Sequence, residues 1–136
     1  MRTLTIILLV MVVVASAVIS ILKKYAMNQI GEISISKINL ELIIKFATNP
    51  WALMTLFAGF GVWGLSMWLF SMEKASIAIL LLHGAAIVSV LLALSLSHLI
   101  FGDVLTQQQY LGLILIIIAS VMSTVGIYYI GNGGAV

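Results

Sequence analysis

The chain has 136 residues, 63% of them hydrophobic and 7% charged, with a formal charge of +2 and no cysteine. This balance excludes a soluble domain, in which roughly a quarter of the residues are charged, and so small a net charge carries no argument for nucleic acid. The lack of cysteine removes disulfides and thiolate metal sites.

Charges mark the boundaries along the chain. Arg2 precedes an uncharged run over 4–22, which Lys23 and Lys24 close. Glu32, Lys37, Glu41 and Lys45 then cluster in a connection. A second uncharged run, 46–72, stops at Glu73 and Lys74, and a third, 75–102, stops at Asp103. From Val104 onward there is no charge. Each run supplies the ~20 apolar residues that a helix needs to cross the hydrocarbon. Barrel strands alternate polar and apolar residues, and these runs do not. The reading is an all-α integral membrane protein, one domain over 1–136 with four transmembrane helices at about 4–25, 50–72, 76–101 and 108–130.

Local signals support these ends. Asn49 suits a cap, Pro50 a first turn and Trp51 the membrane interface. Thr106 suits the cap of the fourth helix, and Tyr128 and Tyr129 the opposite interface. Between the first two spans, 38–46 reads INLELIIKF, with Ile38, Leu42 and Phe46 recurring every fourth residue. It is either a short interfacial helix or a loop with a few apolar residues. Arg2, the apolar run and Ala15-Ser16-Ala17 imitate a secretory signal. The run continues past Ala17 into two lysines, however, as a retained span does. The first and third loops together hold Lys23, Lys24, Lys37 and Lys45, against Arg2 and Lys74 on the other side. That asymmetry favours a cytoplasmic first loop only narrowly, and dual insertion stays open.

Residues able to carry chemistry are few. All four acids lie at span ends or in the first connection, and the two histidines stand 15 residues apart on one helix. Neither a hydrolytic constellation nor a metal site emerges, so no enzymatic activity and no cofactor are expected. His83 sits roughly 10 Å into the third span. An ionisable side chain at that depth is either a functional group or a neutral ring bonded to a neighbouring helix. Ser16 and Ser20 share a face of the first helix. Ala85, Ser89, Ala93 and Ser97 form a four-residue series in the third, fit for close packing or for lining a polar cavity. In the fourth helix, Gly112, Ala119, Ser123 and Gly126 bring small residues near one stripe, a helix-association face.

The run FGDVLTQQQYLGLILIIIASVM, residues 101–122, resembles the last loop and helix of the drug/metabolite transporter superfamily. Gly102, Asp103, Thr106, Gln109, Gly112 and Ala119 carry the resemblance. Upstream, Lys74, Ser76 and Ala78 stand where such proteins often read basic-x-Ser-x-Ala. Lys24 and Tyr25 are similar to the Lys-aromatic end of the family's first helix. Four-helix members include the small multidrug resistance exporters and EamA-like units such as aminoarabinose-undecaprenyl phosphate flippase subunits. The exporters use a glutamate in the first helix, where this chain has Ser16. A serine cannot exchange a proton for a cation, and the long first connection also matches the EamA-like group better. After Ala78, Ile79 and Leu80 replace the usual aromatic.

The resemblance therefore implies a transporter in the cell membrane (inner or plasma) that works as a homodimer or with a paralogue. Its expected cargo is a polyprenyl-phosphate-linked sugar or similar amphipathic lipid, and its partners are membrane lipids. Ser16, Ser20, His83 and Ser89 are the expected lining residues, with Lys23 or Lys24 meeting a phosphate. Gly112, Ala119, Ser123 and Gly126 resemble the family's dimer face. The alternatives are a proton-coupled exporter of cations or metabolites and a non-transporting subunit of a larger complex.

Overall fold

The computed structural model describes residues 2–133. Among these residues it is all helix and loop. The long helices are α1 (Thr3–Ile30), α3 (Pro50–Met72), α4 (Ala75–Phe101) and α5 (Gln107–Gly133), with a short α2 (Leu40–Thr48) after a single 3-10 turn at Ile35–Lys37. All four long helices have the length and apolar composition to cross a membrane. The protein is thus a multi-pass membrane protein of the expected architecture.

The helix ends follow local chemistry. Asn49 accepts a hydrogen bond from the Ala52 N–H at 3.0 Å, and Pro50 follows in the first turn. Thr106 and Gln109 close a reciprocal pair: the Thr106 N–H donates to Gln109 Oε1 at 2.8 Å, and the Gln109 N–H donates to Thr106 Oγ1 at 3.4 Å. That satisfies two of the N–H groups a helix start leaves without partners. α4 ends on Gly102 in the left-handed region, φ 67°, where a side chain would be strained. α1 runs five residues beyond the expected end at Tyr25 and stops at Gly31, φ 95°. At 1.5 Å per residue, its 28 residues span about 42 Å, longer than the ~30 Å hydrocarbon, so the last turns stand outside it.

α1 and α4 form the central pair. α1 packs on α3 and α4, α4 packs on α1 and α5, and α3 touches α4 lightly. A third of the apolar span of α1 is buried, against 6% for α3 and for α5. The two outer helices therefore present most of their surface to the surroundings. The core cluster joins Leu9, Leu69, Ala78, Leu81 and Ala85, with Ile127 and Ile130 packed against it. Fully buried Thr5 donates to the Glu73 carboxylate at 3.0 Å and ties this end of α1 to the α3–α4 turn. At the other end, Tyr25 stacks on Trp51 (centroids 4.8 Å) and meets Phe101 (5.1 Å), joining α1, α3 and α4.

The 38–46 segment resolves as a helix shifted two residues later, with Asn39 accepting from the Leu42 N–H. Leu42 and Phe46 are half-buried, while Leu40, Ile43 and Ile44 are exposed and Glu41 pairs with Lys45 at 3.7 Å. The Asn49 amide also donates to Gln29 Oε1 at 2.8 Å, fastening the α2–α3 junction to the protruding end of α1.

Candidate functional site

The small-residue series on α4 divides in two. Ala85 and Ser89 are buried at the packed level, whereas Ala93 and Ser97 are only half-buried, further towards the Tyr25 end. There α1 and α4 part around a groove of about 340 Å³. Ser20 and Lys24 enter it from α1, Ser89, Ala93 and Ser97 from α4, and Asp103 from the loop after α4. The close-packing and cavity-lining readings of the series overlap at Ser89, which is buried and also borders the groove.

Gly102 explains how Asp103 reaches this groove. Its left-handed turn sends the chain back along α4, so that Ser97 Oγ donates to Asp103 Oδ2 at 2.5 Å. His98 Nδ1 lies 2.8 Å from the Asp103 carbonyl, a contact that requires the ring proton on Nδ1. Two bonds thus fix the loop on the last turns of α4. A second cleft of about 520 Å³ opens between α4 and α5 on the other side of this network, bordered by His98 and Tyr110. Ser97 and Asp103 line both.

Lys24 and Asp103 line the same groove without closing an ion pair among the described residues. One cation, one anchored carboxylate and three serines, whose hydroxyls donate to the Ser16 carbonyl, the Ala86 carbonyl and Asp103, therefore border a space bounded otherwise by Ile21, Val90, Leu94 and Phe101. The arrangement can receive a polar group carrying a negative and a positive part, or several hydroxyls, from a ligand whose remainder is apolar.

Of the expected lining residues, the groove gathers Ser20, Lys24 and Ser89. Ser16 is half-buried, and its carbonyl accepts the Ser20 hydroxyl at 3.2 Å rather than facing the groove. Lys23 borders a different groove, between α1 and α3. His83 is exposed, with Nδ1 2.7 Å from the Ile79 carbonyl of its own helix, and among the described residues it neither lines the groove nor bonds to a neighbouring helix. Ser97, which the four-residue series offered as packing or cavity lining, borders the groove, and Asp103, which the sequence marks only as a span end, completes it. The signal was the Gly102-Asp103 pair five and six residues after Ser97, which reads as a span boundary until the glycine turns the carboxylate back.

On α5, the small residues also separate. The backbone of Ser123 lies against α4, its carbonyl 3.8 Å from where a Cβ on Gly84 would stand. Ser120 is buried, and its hydroxyl donates to the Ile87 carbonyl at 3.4 Å. Gly112 and Gly126 would carry a Cβ into open space, and Ala119 is half-buried. No group of three or more histidine or acidic side chains suited to a metal occurs among the described residues.

Comparison with family models, with curated proteins and with solved structures gives no match.

Proposed function

We propose that this chain is a small transporter of the drug/metabolite type in the cell membrane, translocating a polyprenyl-phosphate-linked sugar or a similar amphipathic lipid. The observation that carries the reading is the groove between α1 and α4. It sets Lys24, Asp103, Ser20, Ser89 and Ser97 against apolar walls. A phosphate suits Lys24, and sugar hydroxyls or an amine suit the serines and Asp103. The apolar chain of such a cargo stays in lipid, so a shallow groove suffices for the head.

The four helices alone enclose little space, and a second copy or a paralogue completes the pathway. Gly112 and Gly126 on the weakly covered α5 leave room for close approach of another helix.

The test is reconstitution. Purified protein enters liposomes containing a fluorescent polyprenyl-phosphate sugar, and its accessibility is read from outside. Flipping above protein-free liposomes is expected. Absence of flipping, together with proton-driven cation uptake by the same vesicles, contradicts the lipid reading and favours the exporter alternative. Silence in both assays until a second membrane protein is co-reconstituted favours a subunit role.

A further inference from the structure

Lys23 stands at one end of a groove distinct from the one described above. α1 and α3 part around a space of about 610 Å³, within the 300–1,000 Å³ usual for small-ligand sites. Ile19 and Lys23 border it from α1, and Thr55, Gly59, Phe60 and Trp63 from α3. From Thr55 to Trp63 the helix rises roughly 12 Å, enough for much of one acyl chain. Gly59 leaves the wall open, since a Cβ there meets nothing within 4 Å. Phe60 and Trp63 are 62% and 64% exposed, their rings open to the surrounding lipid.

The charge pattern differs from that beside Lys24. No carboxylate lines this groove, so the Lys23 charge is not offset there. The Tyr25–Trp51 stack, two residues further along α1, marks the headgroup level, to which a lysine stem can extend. An apolar slot inside the hydrocarbon with one uncompensated cation at the headgroup level complements a molecule with one apolar chain and one anionic head.

We propose that the α1/α3 groove is a binding site for an anionic phospholipid of the surrounding bilayer, its phosphate on Lys23 and one acyl chain along Gly59, Phe60 and Trp63. The site stands on the membrane architecture alone and is independent of the transport reading. One lysine near the membrane surface contributes about a fivefold preference for an anionic lipid.

The test uses the full chain in bilayers, keeping Trp63 as sole tryptophan (Trp51→Phe, Trp68→Phe). Its fluorescence is quenched by brominated-chain phosphatidylglycerol or brominated-chain phosphatidylcholine. The expected result is an apparent affinity about fivefold higher for phosphatidylglycerol. Lys23→Gln brings the ratio to about one, Lys24→Gln leaves it, and Gly59→Leu weakens quenching by both lipids while far-ultraviolet dichroism stays helical. Equal quenching of the unsubstituted site by the two lipids overturns the proposal. So does a preference that survives Lys23→Gln, or one that Lys24→Gln abolishes equally. Quenching by neither lipid, as when a second copy covers the groove, also overturns it.

Discussion

Lys23 and Lys24 are neighbours in the chain but border different grooves: Lys23 the apolar one between α1 and α3, Lys24 the polar one between α1 and α4. The 100° turn between successive helical residues separates them, and the partners across each groove give them different chemistry. Beside Lys24 stand Asp103 and three serines, whereas beside Lys23 stand Thr55 and otherwise aromatic and aliphatic side chains. For Lys24→Gln the expectation is a loss of roughly ten- to a hundredfold in cargo affinity, the scale of one charged hydrogen bond of about 1.5–3 kcal/mol. Titrating lipid-linked sugar into nanodiscs carrying each protein measures it, and unchanged affinity removes Lys24 from the site.

The Thr5 hydroxyl is the partner that the packed end supplies to Glu73. Thr5→Val keeps the shape and removes the donor, and should lower stability by about 1 kcal/mol, because Glu73 remains partly hydrated. Thr5→Ser should recover most of the loss. Reversible unfolding in mixed micelles checks both, and a valine variant as stable as the parent shows the bond to contribute nothing net.

Asn49 caps α3 through its carbonyl oxygen and holds Gln29 through its amide. The two roles separate by substitution. Asn49→Asp keeps an acceptor for the Ala52 N–H and loses the donor to Gln29, while Asn49→Ala loses both. The alanine variant should be destabilised by about 1–2 kcal/mol and the aspartate variant by less. Melting in detergent gives the order, and equal losses would mean that the cap is not the dominant contribution.

Gly84 and Gly126 look alike in sequence and differ in the fold. A Cβ on Gly84 would stand 3.0 Å from Ile127 Cγ1, whereas one on Gly126 meets nothing within 4 Å. Gly84→Leu should therefore cost about 1–3 kcal/mol by overpacking the α4–α5 contact. Gly126→Leu should leave the protomer intact and reduce dimer formation several-fold, read by energy transfer between labelled copies in liposomes. A Gly126→Leu protein that dimerises fully places the dimer face elsewhere.

How much of this was legible in the sequence depends on distance along the chain. The α3 limits emerge directly from Asn49-Pro50-Trp51 and Glu73, and the start of α5 from Thr106, because caps and span ends are local. The end of α1 did not, since Lys23, Lys24, Asn28 and Gln29 interrupt the apolar signal while the helix continues through the interface. The 38–46 segment allowed helix or loop, and Asn39 as cap decides for helix from Leu40. Ser20 and Ser89 were legible as candidate lining residues from helical spacing, and Lys24, beside Lys23, from the family resemblance. Asp103 was not, because its place depends on the Gly102 backbone and on a bond to Ser97 six residues back. His83 stood out by depth alone, and depth does not say which way a helix face turns. The Thr5–Glu73 bond spans 68 residues and left no local trace.

Under the proposed transport function, the polar head crosses at the α1/α4 groove. The most direct measurement compares Ala93→Leu with His83→Ala in the liposome flip assay, each checked for unchanged melting. Leucine at Ala93 fills the groove, while His83 lies outside it. Flipping should fall at least roughly tenfold for Ala93→Leu and persist for His83→Ala, a difference of about 1.4 kcal/mol in barrier. Full activity with the groove filled, together with loss on removing the imidazole, would contradict the groove and move the pathway to the outward face of α4.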